Sequence, residues 1–163
     1  MKLRNVALSI LVALLTTTVF AESDASAAFE RLKALQGSWA GKTSDGRPVQ
    51  ISNRVVSDGS AIMSEITGHE DMITMFHMDG NRLMMTHYCA SGNQPRMVGT
   101  VSPDGKTITF NFLDATNLLS TQHGHMEHVV FTLTDADHHT EEWEFAAPDG
   151  QKMHEVFSLQ RQK

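Results

Sequence analysis

Apolar and polar residues alternate along most of the chain after residue 37, and this two-residue period is typical of half-buried β-strands. In 106–113, for example, Ile108, Phe110 and Phe112 fall on one side of an extended backbone and polar residues fall on the other. Ten segments of this kind are predicted as strands, namely 37–44, 48–57, 61–67, 72–78, 82–89, 95–101, 106–113, 125–134, 138–146 and 151–160.

Five Asp-Gly dipeptides lie between or beside these segments, and Asp-Gly is a strong hairpin signal because it tolerates positive φ. Short hairpins joining strands with one apolar face predict an antiparallel meander, which usually closes into a barrel or folds into a sandwich. One helix is predicted over 24–36, where Phe29, Leu32 and Leu35 recur at helical spacing before Gly37. The fold class expected is an all-β, antiparallel up-and-down barrel of about ten strands with a short N-terminal helix.

Residues 1–21 carry a different pattern. Lys2 and Arg4 precede an apolar run that is too short to span a bilayer, and small residues surround Ala21. This arrangement predicts a secretory signal peptide over 1–21 and a single domain over 22–163, placed in the periplasm or secreted. Stable membrane insertion of the mature chain is not expected.

Composition narrows the function classes. Of the 163 residues, 40% are hydrophobic and 20% are charged, which is typical of a globular protein and not of a disordered one. The formal net charge is −6, and cleavage after Ala21 would remove two basic and no acidic residues, which takes it to −8. Nucleic acid is therefore not an expected partner, because phosphate binding needs a basic surface.

The single cysteine, Cys89, excludes an intrachain disulfide and any site built from several cysteines. We interpret Cys89 as a buried, inert thiol, and the acids Glu141, Glu142 and Glu144 mainly as surface charge. No catalytic signature motif is present, so a noncatalytic role is favoured over an enzymatic one.

The segment from Leu35 to Gly41, with its Gly-Ser-Trp39, resembles the opening of the calycin superfamily, which contains the lipocalins. That resemblance implies a barrel closed at one end by Trp39, with Arg161 of the last strand packed across the indole. We expect Trp39 and Arg161 to be in contact, because a guanidinium is attracted to an aromatic face.

Further motifs are similar to a bacterial group of lipocalin-like proteins of unknown function. They are Met85-Thr-His-Tyr-Cys89, Gly92-Asn-Gln-Pro-Arg-Met97, and Asp137-His-His139 followed by Glu142-Trp143. A more distant similarity links the Trp39-Ala-Gly41 start to the haem-binding nitrobindin barrels, in which a late histidine ligates the haem. That resemblance implies His154, the histidine of the last predicted strand, as the candidate haem ligand.

The fold and the abundance of methionine together favour a barrel that binds a small, largely apolar molecule in its interior. Polar donors of the 93–96 loop are expected at the barrel mouth, with equal weight given to a purely structural role for them. The residues predicted to bind the ligand are Met85, His87, Tyr88, Asn93, Gln94, Arg96 and Trp143.

Nine histidines and ten methionines raise the alternative of a metal or haem protein. The candidate metal ligands are His123, His125, His128 and His154, for zinc or copper. On a regular strand His123 and His125 share a face and His128 lies opposite, unless a bulge intervenes. This spacing favours solvent-exposed edge histidines over a metal site, and no cofactor is predicted.

Overall fold

The structure is a computed structural model that describes residues 24–68, 70–119 and 123–163. The predicted signal peptide lies outside the described residues. Helix α1 spans Asp24–Lys33 and ends three residues before the predicted end. Leu35 and Gln36 instead form a tight turn, in which their amides donate to the carbonyls of Leu32 and Lys33 at 3.0 Å.

Ten strands follow the helix, and each predicted strand is present with bounds that differ by a few residues at most. They are β1 (Gly37–Thr43), β2 (Pro48–Val56), β3 (Ala61–Thr67), β4 (Met72–Asp79), β5 (Arg82–Tyr88), β6 (Gln94–Val101), β7 (Thr107–Thr116), β8 (His125–Leu133), β9 (His138–Ala146) and β10 (Lys152–Arg161). A short 3₁₀ turn over Ser57–Gly59 joins β2 to β3.

The strands form one closed antiparallel barrel in sequence order, which confirms the predicted fold class. Every consecutive pair of strands forms a hairpin, and β10 returns to pair with β1 along Trp39↔Arg161 to Thr43↔Phe157. Closure leaves the described sheet without an unpaired edge, which removes the usual route to edge-to-edge aggregation.

Aromatic and thioether side chains fill the middle of the barrel. The ring centroids of Phe76, Phe110 and Phe131 lie 5.6–5.9 Å apart, and Met85 and Met97 are completely buried beside them. Such packing contributes favourable aromatic contacts as well as apolar burial. The barrel centre is therefore a packed core, and space for a ligand has to be sought at its ends.

One end of the barrel is closed by α1 and by Trp39. The buried face of α1 carries Ala28, Phe29 and Leu32, and the helix contacts β4, β5 and β6. Trp39 is 1% exposed, and its indole N–H donates to the Leu35 carbonyl at 2.7 Å.

Arg161 secures this closed end, and the predicted contact with Trp39 is present. Its guanidinium carbon lies 4.3 Å from the centroid of the Trp39 ring. The same guanidinium donates to the carbonyls of Ala34, Gln36 and Ala136 at 2.7–2.9 Å. A single side chain therefore connects the turn after α1, the β8–β9 turn and the indole.

Gly41, two residues after Trp39, is required by a close approach of two backbones. A Cβ atom at this position would lie 1.8 Å from the Ser158 carbonyl oxygen of the neighbouring strand β10. Glycine is the residue that permits such an approach, so the Trp39-Ala-Gly41 motif serves both the indole closure and the β1–β10 pairing.

Candidate functional site

A cavity of about 600 Å³ lies at the opposite, open end of the barrel. Its apolar surface is provided by Met126, Trp143, Phe145 and Met153, which come from the ends of β8, β9 and β10. Cys89, which follows β5, also lines the cavity. It is only partly buried, so the full burial predicted for this residue is not observed. The cavity has the size of small-molecule sites, and its lining is divided about equally between apolar and polar surface.

Charged side chains surround this apolar surface. Arg47 lies between two carboxylates, with Nε 2.6 Å from Asp45 Oδ2 and Nη2 2.7 Å from Glu155 Oε1. Glu70 also lines the cavity, and the pKa of Arg47 is raised by its hydrogen bond to Asp45 and, to a smaller extent, by the charges of Glu155 and Glu70. The hydrogen bonds from Arg47 and Thr43 hold the pKa of Asp45 far below its usual range, so this carboxyl is ionised.

A buried carboxyl supports the cavity floor from below. Glu141 is 2% exposed; its Oε2 accepts a hydrogen bond from Trp143 Nε1 at 3.1 Å, and its Oε1 lies 3.2 Å from His139 Nε2. The His139 ring in turn packs edge-on against Trp39, with centroids 4.3 Å apart. A continuous set of contacts thus links the cavity floor to the closed end of the barrel.

The interpretation of Glu141 as surface charge is wrong. Along β9, Glu141 shares the inward face with Trp143, while Glu142 is exposed and Glu144 faces outward toward Lys152. The alternation of the strand already contained this information, because Glu141 and Trp143 are two residues apart. His139 lies two residues before Glu141 and is buried on the same inward face, although the sequence analysis did not assign it to the interior.

His87 is the other buried polar side chain close to the floor. It is completely buried, its Nδ1 lies 2.9 Å from Thr74 Oγ1, and its ring centroid lies 4.9 Å from that of Trp143. Its Nε2 has no hydrogen-bond partner among the described residues. Burial lowers the pKa of His87 to about 4, so the imidazole is neutral at physiological pH.

This neutral histidine predicts acid sensitivity between pH 6.5 and 4. In that window the unfolded chain binds a proton at residue 87 that the folded protein excludes, so folding stability falls as the pH falls. A pKa of about 4 against 6.5 corresponds to a loss of about 3 kcal/mol in the free energy of unfolding. Urea denaturation at pH 7 and pH 4.5 measures most of this loss, since it is complete only below the folded-state pKa, and the His87→Gln variant should lose correspondingly less. An equal loss in both proteins would contradict this origin.

The predicted ligand-binding residues do not come together. Trp143 lines the cavity, whereas Met85 is buried in the packed core and His87 lies below the floor. Tyr88 is half exposed on the outer face, opposite Ile73 of β4.

The polar donors of the 93–96 loop have structural partners instead. Asn93 is buried and donates to the Gly124 carbonyl at 2.8 Å, and Gln94 Oε1 accepts from Thr116 at 2.7 Å. Arg96 donates to Asp114 Oδ1 at 2.6 Å on the barrel exterior. Their predicted convergence at the mouth is therefore not seen, and the structural alternative describes their contacts.

A bulge rearranges the histidines of β8. His125 pairs with Ala146 and His128 pairs with Glu144. The extra residue between the two histidines therefore places both on the same face of the sheet. His128 Nδ1 lies 3.0 Å from Asn111 Oδ1, and His154 Nε2 lies 3.3 Å from Glu144 Oε2. Within the described part of the chain, no three His, Cys, Asp or Glu side chains are arranged to hold a metal ion.

The haem suggested by the nitrobindin resemblance does not fit His154 as it stands. His154 borders the cavity, but its side chain is 65% exposed and its Nε2 lies 3.3 Å from Glu144 Oε2. Among the described residues, no helix has the length and hydrophobicity needed to cross a membrane.

Comparison with known proteins adds information on the fold. No family model and no curated sequence matches the chain. The crystal structure of Rv2717c from M. tuberculosis superposes with a TM-score of 0.58 at 19% identity, covering 83% of this chain and 98% of that one. A protein of unknown function from the DUF3598 family of Nostoc punctiforme gives a TM-score of 0.55 at 11% identity, over 80% of this chain.

The chain spans about half of the Nostoc protein, 49% of its length. At these identities the similarity supports the β-barrel fold and carries no information on ligands. Membership of the calycin superfamily stays a prediction.

Proposed function

We propose that this protein binds a small, largely apolar molecule in the cavity at the open end of the barrel and catalyses no reaction on it. The observation that carries the proposal is the apolar surface formed by Met126, Trp143, Phe145 and Met153 in a cavity of about 600 Å³. Ligand pockets typically measure about 300–1,000 Å³ and are lined mostly by apolar and aromatic side chains.

The packed core places the binding site at the mouth and not deep in the barrel. Phe76, Phe110 and Phe131 occupy the centre, so a ligand would rest on Trp143 instead of passing below it. Methionine side chains suit such a site because their flexible thioethers adapt to ligands of varied shape. We further propose that the protein acts in the periplasm or outside the cell, as the sequence of residues 1–21 indicates.

Titration with the neutral apolar fluorophore N-phenyl-1-naphthylamine tests the proposal. We expect saturable binding, and we expect Trp143→Ala to weaken it at least tenfold because the floor of the cavity is lost. Tyr88→Ala is the matched control, since Tyr88 is an exposed aromatic residue on the outer face and should bind as the wild type does.

Met153→Ala guards against a folding defect of the Trp143 variant. Met153 lines the cavity but is 55% exposed, so its truncation should weaken binding without affecting the core. Equal affinities in all four proteins, or no saturable binding, would overturn the proposal. Native mass spectrometry of the protein isolated from its own compartment would then weigh the metal and haem alternative by the mass of any bound species.

A further inference from the structure

The charges around the cavity are unbalanced. Three carboxylates line it, from Asp45, Glu70 and Glu155. Among its described lining residues, Arg47 is the only arginine, and no lysine is present. Glu155 is also the cross-strand neighbour of Trp143, which places a carboxylate beside the aromatic floor. The whole chain is acidic as well, with a formal net charge of −6, so its field attracts cations from a distance.

Arg47 is itself a cation that the carboxylates bind at the mouth of the cavity. Its guanidinium lies within 2.7 Å of both Asp45 and Glu155, and it neutralises one of the three negative charges. The side chain of Glu155 is 27% exposed, so its carboxylate is partly shielded from water. Among the described lining residues, the carboxylates therefore outnumber the arginine and lysine side chains by two, which favours a bound cation at the rim.

Two histidines of the described chain lie near the cavity. His87 is neutral because burial lowers its pKa to about 4. His154 lies at the rim, but its imidazole is directed to Glu144 on the outer face. An anionic ligand would therefore meet net repulsion, and a neutral ligand would gain nothing from the carboxylates.

The apolar surface of the cavity also suits an organic cation. Trp143 lines the cavity although it is only 4% exposed, and its indole N–H is bonded to the buried Glu141, so what it offers to the cavity is a small apolar surface. Aromatic faces attract ammonium groups, and quaternary ammonium compounds are commonly recognised by aromatic residues. Phe145 adds a second ring, and Met126 and Met153 add polarizable thioethers.

We infer that the molecule bound in this cavity is an organic cation, an alkylammonium with an apolar chain, held between the Trp143–Phe145 surface and the carboxylates of Glu70 and Glu155. This inference rests on the proposed function, since it names the chemical class of the ligand for that same site. It predicts that the cavity selects its ligand by positive charge as well as by apolar character.

Three probes with the same decyl chain separate charge from apolarity. Decyltrimethylammonium, decyl glucoside and decyl sulfate are titrated by isothermal calorimetry below their critical micelle concentrations, at low and at moderate salt. We expect the ammonium probe to bind at least tenfold more tightly than the glucoside, and the sulfate to bind most weakly. The advantage of the ammonium probe should shrink as salt is added, because rim charges are screened.

Charge-neutralising variants locate the effect. Glu70→Gln should reduce the preference for the ammonium probe over the glucoside several-fold, and Glu155→Gln should do the same. Glu142→Gln is the matched control, because Glu142 is an exposed acid of β9 that does not line the cavity, and it should leave the preference unchanged.

The outcomes separate the two proposals. Equal binding of all three probes, or a preference for the sulfate, would overturn the cationic ligand while leaving the apolar binding site in place. A preference for ammonium that Glu70→Gln, Glu155→Gln and Glu142→Gln all leave unchanged would also overturn it. No binding of any probe would overturn the proposed function itself.

Discussion

Trp39→Ala is expected to lower the free energy of unfolding by about 3–5 kcal/mol, the usual cost of truncating a fully buried aromatic residue. The indole is 1% exposed, donates to the Leu35 carbonyl, and contacts both the Arg161 guanidinium and the His139 ring. Truncation would open a cavity at the closed end and leave two packed polar groups without their aromatic neighbour. Urea denaturation followed by circular dichroism measures the loss without relying on tryptophan fluorescence.

Trp39→Phe is the control for this variant. It keeps an aromatic ring beside Arg161 but removes the donor to the Leu35 carbonyl, so its loss should be distinctly smaller than that of the alanine variant. A loss below about 1 kcal/mol for Trp39→Ala, within the range of ordinary surface substitutions, would show that the closed end does not depend on the indole.

Glu141→Ala is expected to destabilise the protein by roughly 2–6 kcal/mol, because each buried polar group left unsatisfied costs roughly 1–3 kcal/mol. The two groups affected are the indole N–H of Trp143 and the Nε2 of His139. Because Trp143 forms the cavity floor, the variant should also shift the tryptophan emission and weaken binding of the apolar probe.

Two matched variants make this expectation specific to the buried carboxyl. Glu141→Gln keeps an acceptor for Trp143 and should lose less stability. Glu142→Ala removes the adjacent but exposed acid and should change the free energy of unfolding by no more than about 0.5 kcal/mol. Similar losses for Glu141→Ala and Glu142→Ala would refute the supporting role of Glu141.

The strands and their order are readable from the sequence because local signals and the global fold agree. Asp-Gly dipeptides mark hairpins such as those at Gly46, Gly105 and Gly150, where the backbone adopts positive φ. Alternation assigns Trp143 and Phe157 to the inside of the barrel. The contact between Trp39 and Arg161 follows from the resemblance to calycin openings, and not from periodicity.

The site is less readable, for two physical reasons. Two bulges shift the strand pairing, one in β8 and one where Arg96 and Met97 of β6 pair with β7. Beyond a bulge, counting residues in twos no longer shows which side chains face the interior. In addition, alternation places Glu141 on the inward face of β9, but a carboxyl is usually interpreted as surface charge, and its burial depends on the hydrogen bonds with Trp143 and His139. Charged residues are almost never fully buried unless they are paired, and pairing is a property of the folded structure.

The seam between β1 and β10 determines how the molecule can fold. Among the described strands, every other pairing joins neighbours in the chain, whereas this seam pairs the first strand with the last, from Trp39↔Arg161 to Thr43↔Phe157. Closing so long a loop carries an entropic cost that the local hairpins avoid, so we expect the seam to form late. Until Arg161 docks, a chain with nine formed hairpin pairings exposes the free edges of β1 and β10, and at that stage another chain can compete for the place of the missing partner.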